Sequence, residues 1–278
     1  MLKNAQTSLS QSSNDLEADM NRLNTFAESR RNDYTNASPF PHIVIEDFMD
    51  ASLLHEVCRE FPEQNRFDWD VMVDKDQKKF SANSTELLGP ATRKVLHFLN
   101  SREIINFLES LTGISGLIPD PHLAGGGLHE LREGGFLKIH ADFNWHKQLR
   151  LDRRINLLVY LNEDWEPEYE GCLELWDTSM KAKVAEYLPT FNRCVIFNTT
   201  NNSYHGNPVP VACPEGRSRR SIAMYYYTNG RPAEEVSDSH GTLFRNRPGE
   251  ATSGEKRKDL ITQLTPPILL ELYRGLKK

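Results

Sequence analysis

The sequence predicts a mostly β protein with flanking helices, built as a sandwich or barrel, and three observations carry that prediction. From Gly127 onward the hydrophobic period changes from helical to alternating, and short β-like runs recur at Gly127 to Leu131, Phe136 to His140, Asn156 to Leu161, Gly171 to Trp176, Arg193 to Asn198 and Arg219 to Tyr227. Turn-forming residues part several of them, notably Glu133-Gly134-Gly135, Asn162-Glu163-Asp164 and Asn229-Gly230-Arg231-Pro232. No helix-length segment alternates with these runs, which argues against a βαβ sheet.

Residues 1–36 read as a polar tail with one docking helix, because Leu16, Met20, Leu23 and Phe26 recur at helical spacing behind Asn14-x-x-Glu17, a capping-box pattern. Residues 37–126 read as a helical support for the β region. There His42 to Ile45 is a strand, and Asp50 caps a helix carrying Leu53, Leu54, Val57, Cys58 and Phe61. A second helix covers Thr92 to Leu99; a third starts at Ser101, sets Ile104, Ile105, Leu108 and Leu111 on one face, and stops at Gly113. Between the first two, Asp68 to Lys79 is charged and irregular, and with Trp69 it is a candidate mobile lid. The β region itself spans 127–232. Residues 233–278 form a polar loop and a closing helix, with Thr265 as cap, Pro266 in an early helical position, and Leu269, Leu270, Leu272, Tyr273 and Leu276 as apolar contacts.

Lys and Arg number 33 against 39 Asp and Glu, a formal charge of −6 over 278 residues, so nothing predicts a nucleic-acid partner. The longest apolar stretches, such as Leu157 to Leu161 and Ile268 to Leu270, fall far short of the ~20 residues of a membrane helix, and no membrane partner is expected. Met1 to Asn14 carries no apolar stretch behind a basic start, so neither a secretory nor a transit segment is predicted. Cys58, Cys172, Cys194 and Cys213 form neither a CxxC pair nor a dense framework. The expectation is a cytoplasmic protein with reduced thiols.

The chemistry starts at His140-Ala141-Asp142, which ends the second predicted strand. Residues two apart on a strand point the same way, so an imidazole and a carboxylate converge there. Alone, this pair is equally a surface histidine beside an aspartate. His205 follows the run ending at Asn198 after a short turn, far enough along the chain for intervening strands to bring it back beside the pair. Two neutral imidazoles and one carboxylate, leaving three positions open, are the ligand set of non-haem Fe(II) oxygenases. Arg219 then begins a strand whose neighbours of the same parity are Ser221, Ala223 and Tyr225. It would project into a barrel, where a buried guanidinium demands an anion such as the carboxylate of a co-substrate. The alternative is a basic turn, Arg217 to Arg220, facing water.

On these motifs the sequence resembles the 2-oxoglutarate and Fe(II)-dependent oxygenases, in particular the prolyl 4-hydroxylase-like branch that includes the hypoxia-sensing prolyl hydroxylases and their bacterial relatives. The resemblance runs from about Phe40 to Pro232 through His140-x-Asp142, Val159-Tyr160-Leu161-Asn162-Glu163-Asp164-Trp165, Gly171-Cys172-Leu173-Glu174-Leu175, His205 and Arg219-x-Ser221-Ile222. It implies a double-stranded β-helix (jelly-roll) barrel, with His140, Asp142 and His205 holding iron and Arg219 holding the far carboxylate of 2-oxoglutarate. It also implies Tyr160 as support for that carboxylate and Leu173 and Tyr225 as pocket walls, roles a plain barrel core would fill as well. Implied with these are O2 as oxidant and ascorbate as a candidate reductant. Two departures stand out. The stretch from His205 to Arg219 is longer than usual in the family, extended by Cys213-Pro214-Glu215-Gly216, which leaves Arg217, of the same parity, as the fallback clamp. A tyrosine that some prolyl hydroxylases carry in the strand before the HxD pair has no counterpart, since Glu130 and Leu131 stand there.

The activity implied is oxidative decarboxylation of 2-oxoglutarate to succinate and CO2, coupled to hydroxylation of an unactivated C–H bond. Asp142 favours hydroxylation, since related halogenases lack this carboxylate. The expected substrate is a prolyl or other amino-acid residue in a protein or peptide. The alternatives are a free amino acid or small metabolite as substrate, or a non-catalytic cupin-like barrel that binds a metal or ligand. A Zn2+ hydrolase is more distant, for want of a general base beyond His146. His146, in Asn144-Trp145-His146 at the barrel mouth, is either a substrate-facing group or an exposed loop histidine. The cations of Lys147 to Arg154 belong either to a solvated loop or to a docking surface for an acidic, phosphorylated or carrier-bound substrate. Gly125-Gly126-Gly127 reads as a flexible strand entry, with no P-loop lysine following. His240 and Arg245 either touch substrate or belong to a polar connecting loop.

Overall fold

The computed structural model describes residues 20–61, 69–84 and 88–250. Helical residues 20–35 (α1) precede α2 (Ala51–Glu60), α3 (Pro90–Leu99) and α4 (Arg102–Thr112). The strands are β1 (His42–Ile45), β2 (Asp70–Val73), β3 (Gln77–Ala82), β4 (Ile118–Pro119), β5 (Gly127–Leu131), β6 (Phe136–Ala141), β7 (Trp145–His146), β8 (Leu151–Tyr160), β9 (Leu173–Trp176), β10 (Lys183–Tyr187), β11 (Cys194–Asn198), β12 (His205–Asn207), β13 (Arg219–Thr228) and β14 (Leu243–Phe244).

The helix boundaries follow their caps. The Asp50 carboxylate accepts from Leu53 N at 2.8 Å, and Gly113 ends α4 with a left-handed φ of 75°. Glu60 at the end of α2 accepts from Ala91 N and Thr92 N at the start of α3, joining two helices through otherwise unpaired N–H groups. The apolar faces of all four helices enter one core with β8, β11 and β13, through residues such as Leu23, Leu54, Leu96, Phe107, Leu157 and Met224. Helix α1 is firmly docked, with Leu23 and Ala27 buried and Tyr34 donating to Asn198 Oδ1 at 2.6 Å. Leu16, the capping-box residues and the expected helix after Thr265 lie outside the described residues.

The strands run in the order β1-β11-β8-β13-β5-β3-β6-β12-β9-β10, and the pairings along that path are antiparallel. The sheet curls over itself: β11 and β12 stand far apart in this order, yet the Phe197 and His205 rings lie 4.6 Å apart. The result is the jelly-roll expected from the sequence, with β11-β8-β13-β5 as one wall and β6-β12-β9-β10 as the other. A small cluster including Tyr160, Leu173, Leu175 and Phe197 packs between the walls.

Two expectations fail here. The segment read as an irregular lid is a hairpin, β2–β3, and β3 is an interior strand bridging β5 and β6. Trp69 is buried against Phe61 and Phe80, so it anchors the hairpin in the core. Periodicity hid β3 because it is short and polar, and its Lys79 lines a polar pocket. Gly127 is no flexible entry either: with φ at 92° and the Ala82 carbonyl where a side chain would stand, it is held in close backbone packing.

Candidate active site

His140 is the penultimate residue of β6 and Asp142 directly follows the strand. Between β12 and β6 the register slips, with His205 opposite His140 but Asn207 opposite Leu137, and this irregularity lets Leu137 and His140 face the same pocket. His140 Nδ1 lies 2.8 Å from the Lys138 carbonyl and His205 Nδ1 2.9 Å from the Ser203 carbonyl. A carbonyl only accepts, so both rings carry their proton on Nδ1 and turn a bare Nε2 inward. Each Nε2 stands 3.4 Å from an Asp142 oxygen, and the three ligand atoms lie within 4.8 Å of one another. Burial pulls the pKa of His205 down to about 4, against the pull of Asp142. Two imidazole lone pairs facing one carboxylate in a buried site repel each other unless a cation sits between them, so the donor set fits a divalent metal ion.

The carboxylate is held from behind. Burial alone would push the Asp142 pKa up, but the Arg153 guanidinium and the two histidines hold it well below the usual carboxylate range. Arg153 Nη2 stands 3.1 Å from Asp142 Oδ2, and Asn156 Nδ2 donates to the same oxygen at 2.7 Å. Arg153 in turn donates to Asn156 Oδ1 and lies between two rings, its Cζ 3.5 Å from the Tyr225 centroid and 4.3 Å from that of Phe143. It is 1% exposed.

Arg219 enters the same pocket from the start of β13 and is buried. Its Nε donates to the Gly171 carbonyl at 2.6 Å and its Nη2 to Tyr160 Oη at 3.3 Å. Both partners are neutral, and among the described residues no carboxylate pairs with it, which fits a pocket awaiting an anionic ligand. Gly171 sets the position of this arginine. It has a φ of 75°, and a Cβ there would stand 2.9 Å from Arg219 Cδ and 3.1 Å from Val211 Cγ2. Gly171→Ala is therefore expected to displace the Arg219 side chain and to cost about 1–2 kcal/mol of stability, read by denaturant melts.

The remaining candidates divide. Leu173 and Tyr225 line the pocket, while Tyr160 is fully buried behind Arg219. Tyr225 also donates from its hydroxyl to the Gly125 carbonyl at 3.0 Å. Arg217 stays outside, donating to the carbonyls of Glu163 and Asp164, which leaves Arg219 as the arginine inside the pocket. His146 is no exposed loop residue: it is 3% exposed, its Nδ1 accepts from Leu149 N, and its Nε2 lies 3.3 Å from Asp120, away from the triad. Nor is Lys147 to Arg154 one solvated loop, because β8 already begins at Leu151, with Arg153 buried under Asp142 and Arg154 paired to Glu235. His240 and Arg245 lie in the segment crossing the barrel mouth. There Asn144 accepts from His240 N and donates to the Asp238 carbonyl, and β14 pairs with β6, setting Phe244 against the His140 ring.

Residues 126–227, which contain His140, Asp142, His205, Arg153 and Arg219, match the family model described as the 2OG-Fe(II) oxygenase superfamily. The match covers the barrel from β5 into β13 and leaves the helical support outside it. The fold of this chain resembles that of a prolyl-4-hydroxylase of Pseudomonas putida, with a TM-score of 0.53 at 14% identity, covering 73% of this chain and 100% of the other. It also resembles a prolyl hydroxylase of Trichoplax adhaerens solved with a hypoxia-inducible-factor peptide fragment, with a TM-score of 0.51 at 17% identity, covering 76% and 91% of the two chains. In sequence it is 23% identical over 232 residues to a prolyl 3,4-dihydroxylase of Ostreococcus tauri, which covers 78% of this chain and 44% of that protein. The chain thus spans less than half the length of that curated relative. No helix among the described residues is long and apolar enough to cross a membrane.

Proposed function

We propose that this chain is an Fe(II)- and 2-oxoglutarate-dependent dioxygenase that hydroxylates an unactivated C–H bond of a prolyl or other amino-acid residue in a protein or peptide. One observation carries the reading: a buried site of two imidazoles and a carboxylate shares its pocket with Arg219, a buried cation that has no carboxylate of its own among the described residues. In this reading His140, Asp142 and His205 hold the iron. Arg219, braced by Gly171 and Tyr160, orients 2-oxoglutarate through its far carboxylate, and Leu173 and Tyr225 wall the pocket against water. Bound Fe(II) with O2 supplies the oxidising chemistry, 2-oxoglutarate leaving as succinate and CO2. Arg153 and Asn156 keep Asp142 ionised and aimed, as partners of ligating carboxylates do. The activities named for the relatives, prolyl hydroxylation at different ring positions, support a prolyl substrate.

The test is incubation of the Fe(II)-loaded protein with 2-oxoglutarate, O2, ascorbate and a library of proline-containing peptides, scored by succinate release and by the gain of one oxygen on a peptide. Succinate matched by oxygen on proline is the expected result. Oxygen appearing only on free amino acids moves the substrate to that class, and no succinate in any arm overturns the reading.

A further inference from the structure

A second cavity lies beside the metal pocket and has no place in the reading so far. Its volume is about 430 Å3, and it lies between the loop that follows Asp142 and the segment that crosses the barrel mouth. Phe143 and Trp145 line it from the loop, Gly241 and Thr242 from the crossing segment. One layer of rings parts it from the metal pocket. Phe143 of this cavity meets Tyr225 of the metal pocket edge to face, their centroids 6.2 Å apart, with the Arg153 guanidinium against both rings.

The two sides of the cavity are tied to each other. Asn144, 4% exposed, stands between Phe143 and Trp145; its Oδ1 accepts from His240 N at 2.9 Å, and its Nδ2 donates to the Asp238 carbonyl at 2.9 Å and to Ser237 Oγ at 3.1 Å. Trp145 is fixed in turn by strand pairing, opposite Asp152 of β8. Phe143 and Trp145 nevertheless stay half-buried, so two aromatic rings turn their remaining apolar surface to the cavity. Its lining holds no Asp or Glu, on a chain of net charge −6, and Lys147 stands exposed at its edge. Such a lining suits a bulky uncharged side chain and disfavours a basic one. An extended peptide advances about 3.3 Å per residue, so a seat one ring layer from the metal pocket is reached within about three residues of the one being oxidised.

We propose that this cavity seats a bulky apolar side chain of the peptide substrate, close in sequence to the hydroxylated residue, and so selects which sequence is modified. The proposal rests on the peptide-hydroxylase reading above.

The experiment measures binding of fluorescein-labelled, proline-centred peptides to the Mn(II)- and 2-oxoglutarate-loaded protein by anisotropy without O2, each peptide carrying Phe, Ser or Lys at one of the positions flanking the proline. The proteins are wild type, Trp145→Ala and Gly241→Trp; a side chain added at Gly241 meets no atom within 4 Å at its Cβ, so this second variant crowds the cavity without disturbing its walls. At one flanking position wild type should bind the Phe peptide about tenfold more tightly than the Ser peptide, with Lys weakest. Both variants should shrink that preference to about twofold while binding the Ser peptide as wild type does. A preference that persists in both variants, or no preference at any position, overturns the seat and leaves the oxygenase reading standing. Self-association of wild type that Trp145→Ala abolishes, in place of peptide preference, assigns the cavity to a second copy of the chain and overturns the seat. A protein that binds 2-oxoglutarate but none of the peptides overturns the peptide substrate and the seat with it.

Discussion

His205→Ala is expected to lower Fe(II) affinity by at least about 100-fold and abolish turnover, while the apo protein unfolds close to wild type. The contrast follows from the geometry. The His205 Nε2 is one of three acceptors crowded within 4.8 Å, and the residue's other tie is a single Nδ1 bond to the Ser203 carbonyl. Its removal relieves repulsion in the empty site and leaves a small space beside Phe197. With metal present the balance reverses, because two ligands cannot hold what three were placed to hold. Metal affinity read by competition with a chelating dye, beside a denaturant melt of the apo protein, separates these effects. Wild-type metal affinity in the variant would show that the ion, if any, binds elsewhere.

Arg153→Met should do the opposite, destabilising the apo fold by about 3–5 kcal/mol, the range for breaking a buried ion pair. Asp142 would keep Asn156 but lose the guanidinium that holds its pKa low, and the space between Tyr225 and Phe143 would lose its cation. The sign with pH is definite. A carboxyl with a depressed folded pKa contributes stability that is present above its unfolded value, about 3.9, and is lost as pH falls toward the folded value. In wild type, acidification through that range therefore weakens the fold through Asp142. In Arg153→Met, burial dominates and raises the carboxyl pKa, so its contribution should improve as pH falls from neutrality. Saturating Mn(II) should recover part of the lost stability at neutral pH, since a ligand that binds only the folded state stabilises it. Equal apo stabilities for variant and wild type would mean that Arg153 does not support the carboxylate.

How much of this was legible in the sequence depends on whether strand alternation survives. His140 and Asp142 were readable because two residues apart on a strand share a face, and Arg219 because its same-parity neighbours, Ser221, Ala223 and Tyr225, suit a barrel interior. Arg153 was not, because β8 begins earlier than its apolar run and the pairing slips between Tyr226 opposite Ile155 and Tyr227 opposite Arg153. That irregularity brings Arg153 to the same side as Asn156, and in sequence it looks like one more charge in a basic stretch. Lys79 was hidden for a related reason. A strand that faces a polar pocket shows no hydrophobic alternation, and Gln77-Lys78-Lys79-Phe80-Ser81-Ala82 reads as a loop until β5 and β6 are seen on either side of it. His146 misled in the other sense: proximity to the HxD pair suggested the mouth of the site, but pairing of β7 with β8 turns it toward Asp120.

The most direct test of the central claim is anaerobic titration of the Fe(II)-loaded protein with 2-oxoglutarate, followed by the weak visible charge-transfer absorption of a chelated 2-oxo acid, on wild type beside His205→Ala and Arg219→Met. The account predicts a band in wild type, no band in His205→Ala, and in Arg219→Met a band that forms only at much higher 2-oxoglutarate concentration. Absence of the band in metal-replete wild type would contradict it.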